Sequence, residues 1–179
     1  MPRLHVVEPN EATGEVKEIF GAFEQKLGKV INIFKGMGNS AAALKAYTGF
    51  SGALGAGELA AEDREAIYLS LSEKNDCGYC VAAHTMLAQK AGLTPEEIIE
   101  FRQGTSSNAK RDALIRFVFR TVETNGFVDD ADVEAVREAG YSDGQIAESV
   151  AMIALVSYTN LFNHVFGSEL DFPPAPDLS

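Results

Sequence analysis

Both cysteines of the chain lie in one short run, Cys77-Gly78-Tyr79-Cys80-Val81-Ala82-Ala83-His84, closed by one of its three histidines. Spacings of three, four and seven residues put Cys77, Cys80 and His84 on one face of a helix. The run follows Asn75 and Asp76, two residue types that cap helices, so a helix is expected to begin at Cys77. There the unpaired amides and the positive dipole end stabilise a thiolate, the nucleophilic form of cysteine. His84, one turn beyond Cys80, is expected to accept the Cys80 proton, which makes Cys80 the attacking sulfur. A peroxide oxygen taken by Cys80 would leave a sulfenic acid, and Cys77 could condense with it to a disulfide. Cys77 is then the resolving thiol.

A base works better when a third group orients it. Glu62, Asp63, Glu65 and Glu73 on the preceding segment are candidates; Glu65 shares a helical row with Leu69 and Ser72 at the edge of the apolar face, whereas Glu73 sits near the turn. Two other readings stand beside redox chemistry. The cysteines could be buried small hydrophobes, or Cys77, Cys80 and His84 could ligate zinc. Structural zinc closes with four ligands, and neither a second Cys pair nor a His-X-His is present, so no metal is expected.

The elements that must position these groups read as helices, because apolar residues recur at three- and four-residue spacing and alternating runs are missing. Helices are expected over about 11–27, 40–54, 58–74, from 77 onward, after the Thr94 cap, over 108–124, after Asp130 and over 142–165, with a Gly-containing loop around Ile31, Ile33 and Phe34. Two joints look alike: Gly92 followed by Thr94 with Glu97, and Gly140 followed by Ser142 with Gln145, each a helix stop and a capping box. A decayed helical-hairpin repeat would give that pattern, as would capping physics alone. The last helix is apolar nearly all round and must be covered. Its stripe of Ser157, Asn160 and His164 would line the pocket, meet another subunit or form a satisfied core network. Tyr79 would line the substrate entrance or simply pack. Asp171-Phe172-Pro173-Pro174-Ala175-Pro176 cannot be helical and is expected as a tail packed on a neighbour.

At 179 residues and 19.2 kDa the chain suits one domain, 1–179, with 1–10 and 171–179 as extended tails. The 15 basic and 26 acidic residues give −11 and a pI near 4.7, which excludes nucleic acid as a partner. Apolar residues at 46% and charged ones at 23% exclude disordered and disulfide-dense classes. Residues 149–168 carry no formal charge, but Ser157, Thr159, Asn160, Asn163 and His164 among them suit a core helix better than a membrane span. No export signal is visible at the amino terminus, so a cytoplasmic, reducing location is expected. The Gly-rich run from Gly49 to Gly57 lacks the setting of a phosphate loop. No cofactor is expected beyond the cysteine pair.

Glu65, Cys77-Gly78-Tyr79-Cys80 and His84 together resemble the AhpD-like alkylhydroperoxidases of the carboxymuconolactone decarboxylase superfamily, particularly its peroxidase-related branch. Asn163-His164-Val165 and Leu170-Asp171-Phe172-Pro173 are similar to the endings of that branch. The resemblance implies an all-α, AhpD-like bundle of seven or eight helices that assembles as a trimer or hexamer, with the Cys-X-X-Cys helix near subunit contacts. It also implies a relay in which a glutamate twelve residues before the first cysteine works through the histidine on the second cysteine, which selects Glu65, His84 and Cys80. Tyr79 departs from the pattern: well-known members carry a histidine there, so part of the relay is absent or replaced by a phenol. The superfamily's decarboxylases lack the cysteine pair, which argues against their reaction. The implied activity is reduction of a hydroperoxide, with a dithiol, lipoyl or thioredoxin-like reductant closing the cycle. The alternatives are a thiol redox or zinc sensor that binds another protein, and a superfamily member acting on a small carbon substrate.

Overall fold

In the computed structural model, which describes residues 1–178, the chain forms nine helices and, among the described residues, no strand. They are α1 (Gly14–Leu27), α2 (Asn32–Met37), α3 (Ala41–Gly55), α4 (Ala61–Lys74), α5 (Gly78–Lys90), α6 (Pro95–Arg102), α7 (Ala109–Glu123), α8 (Asp130–Glu138) and α9 (Asp143–Phe166). The local signals for these helices hold. Ser40 caps α3, Asn108 caps α7, and Thr94–Glu97 and Ser142–Gln145 close as capping boxes behind the left-handed glycines Gly92 and Gly140.

The additional helix is α2, in the segment expected as a loop. Six residues are too few to show periodicity, and Ile31 at its N-cap supplies no side-chain bond. The cap comes from the other end of the chain, where the Asp171 carboxylate accepts the Asn32 N–H at 2.7 Å. A carboxylate at a helix N-terminus satisfies an orphan donor and complements the dipole. Ile33, Phe34, Gly36 and Met37 are buried, and a Cβ on Gly36 would stand 2.7 Å from the Phe166 ring, so only glycine lets α2 lie this close to α9.

The helix at the centre is α4, which packs against α5, α6, α7 and α9. Its sequence is more polar than that of α9, yet every residue from Ala66 to Ser72 is buried. Charged residues enter the interior in pairs, as buried charges must: Asp63 with Arg111 at 3.1 Å ties α4 to α7, and Glu73 with Arg102 at 2.8 Å ties α4 to α6. α9 is only partly covered. Met152, Leu155, Val156 and Phe166 face the core, while Leu161 and Val165 are exposed. The cysteines belong to a cluster formed with Phe20, Val30, Ile33, Phe34, Met37 and Leu44, between the amino-terminal helices and α5.

Candidate active site

The α4–α5 turn places the thiols. Asn75 and Asp76 do not cap α5 as expected: Asn75 ends α4, Asp76 adopts a left-handed φ of 55°, and Cys77 itself takes the N-cap position. Three groups of α9 and α4 secure this turn. The Asn75 amide donates to Asn160 Oδ1 at 2.9 Å, Asn160 donates to Ser72 Oγ at 3.1 Å, and His164 Nε2 donates to the Asp76 carbonyl at 3.2 Å. Of the expected polar stripe, Asn160 and His164 therefore hold the turn, with Asn160 buried and His164 exposed, while Ser157 bonds back to its own helix at the Ile153 carbonyl. These groups border a cavity of about 260 Å3.

Cys77 and Cys80 are free, buried and in contact, their sulfurs 2.7 Å apart. The Asn163 side-chain amide, to which residue order assigns no role at the thiols, stands 3.1 Å from the Cys80 sulfur and 3.9 Å from that of Cys77. The pair shares one negative charge unequally. Hydrogen bonding from Cys80 is the main reason that the Cys77 thiol is brought down to about 7, with the Cys80 amide, His164 and Asn163 helping against the opposing effect of burial. Cys80 is pushed up, because its proton is held against the neighbouring sulfur and because it is buried. The ultraviolet absorbance of the reduced protein is accordingly expected to show one thiolate per chain with a midpoint near pH 7. Cys80→Ala removes the largest lowering influence and moves that midpoint up; a wild-type midpoint in the range of free cysteine, about 8.5, would refute this placement of charge.

His84 and Glu65 come together across the α4–α5 contact, with His84 Nδ1 donating to Glu65 Oε2 at 2.8 Å. A carboxylate accepts only, so this bond leaves Nε2 free to act as the base. The ring is stacked on Tyr68, centroids 3.7 Å apart. The expected direct bond from His84 to Cys80 is not made among the described residues. The charge-assisted bond to Glu65 and the stacking on Tyr68 fix the imidazole, while Cys80 turns to Cys77 and Asn163.

Tyr79 points away from this relay. Its phenol, kept protonated by burial and by the adjacent carboxylate, donates to Asp171 Oδ2 at 2.6 Å, and its ring meets Phe172 edge-on. Asp171 thus binds Tyr79 and the start of α2 at once, which packs this part of the tail on its own chain. Arg102 holds the tail further on through the Pro176 carbonyl. Between tail and turn lies a cavity of about 310 Å3 bordered by Cys77, Asp76, Leu170 and Pro174. Tyr79→Phe deletes a hydrogen bond to a charged group, worth about 1.5–3 kcal/mol, and should lower Tm by about 4–10 °C in a domain of this size. An unchanged Tm would show that the clamp contributes nothing.

Among the described residues no three His, Cys, Asp or Glu side chains converge as a metal site. Residues 41–110, from α3 into the start of α7, match the Carboxymuconolactone decarboxylase family. No curated protein matches the chain. The AhpD-core, peroxidase-related protein of Ralstonia eutropha JMP134 superposes with a TM-score of 0.87 at 23% identity, over 95% of this chain and 92% of that one. A peroxidase-related protein of Silicibacter sp. TM1040 gives 0.80 at 22% identity, over 93% and 89%. A cysteine-to-alanine variant of the debrominase Bmp8, in complex with 2,3,4-tribromopyrrole, gives 0.76 at 21% identity, over 96% and 94%. The likeness to these three structures is one of fold: the chain has the AhpD-like fold, and its residues 41–110 resemble the carboxymuconolactone decarboxylase family.

Proposed function

We propose that the protein is a thiol-dependent hydroperoxide reductase. The observation that carries this reading is the pair of free, buried sulfurs in contact on one helix, one of them acidified, beside a glutamate–histidine pair. Cys80 attacks the terminal peroxide oxygen; the O–O bond breaks, the thiol proton passes through His84 to the leaving alkoxide, and Cys80 becomes a sulfenic acid. The Cys77 thiolate then attacks the Cys80 sulfur, expelling hydroxide, which takes a proton to become water, and a disulfide forms. Two electrons and two protons from an external dithiol, of lipoyl or thioredoxin type, restore both thiols. Glu65 fixes the imidazole tautomer, and Tyr79 serves the tail rather than the proton path. The working form in this reading is a homo-oligomer, trimer or hexamer, in a reducing cytoplasm.

The test is peroxide consumption by the wild-type protein with a dithiol, and intact mass after one equivalent of peroxide without it. Turnover and loss of two hydrogens per chain are expected; undiminished peroxide with an unchanged mass would overturn the reading. The debrominase complex favours a second reading, in which the same thiols act on a small halogenated ring. Bromide release from a bromopyrrole, without loss of peroxide, would select it.

A further inference from the structure

Asn163 is nine-tenths or more buried, and its amide is held from both ends. Ser168 donates its hydroxyl to Oδ1, and Nδ2 faces the sulfurs. The backbone makes this possible: Gly167 ends α9 at a left-handed φ of 72°, the N–H groups of Gly167 and Ser168 both return to the Asn163 carbonyl, and the Ser168 side chain comes back over the amide. Among the described residues the Nδ2 hydrogens have no protein partner but Cys80 and Cys77. A neutral thiol is a weak acceptor, and a buried N–H given only weak acceptors costs free energy. A thiolate is a strong one. The arrangement is therefore best satisfied when a sulfur is anionic.

We infer that Asn163, oriented by Ser168, is a catalytic residue that holds negative charge on the sulfur pair, acting on Cys80 at the moment of attack in place of the direct histidine contact that the structure lacks. The inference rests on the thiol chemistry proposed above but not on peroxide as the substrate. The other groups facing the pair leave this role open. Tyr47, Tyr68 and Tyr79 on α3, α4 and α5 are held protonated by burial, Glu65 is engaged by His84, and His164 bonds the Asp76 carbonyl. Asn160 assists Cys80 in the same sense, but its amide is committed to Ser72. Because a disulfide is a poor acceptor, the same donor favours the reduced pair and makes the protein a stronger oxidant.

The experiment titrates Cys80 alone, in the Cys77→Ser protein, by thiolate absorbance and by the pH dependence of alkylation. Asn163→Ala should raise the Cys80 midpoint by about one pH unit, Asn163→Asp, which keeps the shape but places a carboxylate at the sulfur, by more, and Ser168→Ala by less. With both cysteines present, Asn163→Asp should shift the dithiol–disulfide equilibrium against a reference dithiol toward the disulfide by about tenfold. An unmoved midpoint in folded Asn163→Asp, or an equilibrium shifted toward the dithiol, would overturn the inference. Since none of these readouts needs peroxide turnover, a protein that shows the shifts and leaves peroxide intact refutes the proposed substrate and keeps the role of Asn163.

Discussion

Cys80→Ser is expected to abolish peroxide turnover, a loss of at least about a thousandfold, whereas Cys77→Ser is expected to consume one equivalent and stop with one oxygen added to its mass. The asymmetry follows from the placement of the two sulfurs. Cys80 lies one turn from His84 and 3.1 Å from the Asn163 amide, where charge can be received as it develops. Cys77, at the N-cap of α5 with its thiol near 7, is the sulfur already charged and ready to attack a sulfenic acid in contact with it. Without Cys77 the sulfenic acid persists and is seen by mass or trapped by a dione. If instead Cys77→Ser is inert and Cys80→Ser carries the oxygen, the two roles are exchanged.

The second large effect concerns the base. His84→Ala should lower kcat/KM for peroxide by about 10²–10⁴-fold and Glu65→Gln by about 10²-fold. Glutamine keeps an oxygen near Nδ1 but loses the charge that holds the Nδ1–H tautomer, so the imidazole presents the wrong nitrogen part of the time. Residues that work as a unit are not additive, so the double variant should be little slower than His84→Ala alone. Additive losses would mean that Glu65 acts elsewhere than through His84. Tm of His84→Ala is the control for the stacking on Tyr68 that the ring also provides.

Eight of the nine helices, the capping boxes at Thr94 and Ser142 and the cysteine pair at the start of α5 were legible from residue order, because each depends on neighbours within four positions. The likeness of Glu65, Cys77, Cys80 and His84 to a known motif located the thiols and the glutamate–histidine pair, and the structure brings that pair to 2.8 Å. Periodicity alone left Glu65 among four acids. Asn163 carried a usable signal: two asparagines three residues apart in an apolar helix need buried partners, which the turn before α5 supplies to Asn160 and the Cys80 sulfur to Asn163.

The amino-acid sequence by itself determined the helical class, the caps, and which side chains could do thiol chemistry, since these are local matters of spacing and residue type. Tertiary structure decided the rest. It formed α2 through a carboxylate 139 residues away, turned Tyr79 from the relay to the tail, set α4 rather than the more apolar α9 at the centre, and gave Cys80 an amide in place of an imidazole. The physical reason is common to all four: a buried donor, acceptor or face is satisfied by whatever group the packing brings to it, and sequence spacing is blind to partners that arrive from elsewhere in the chain.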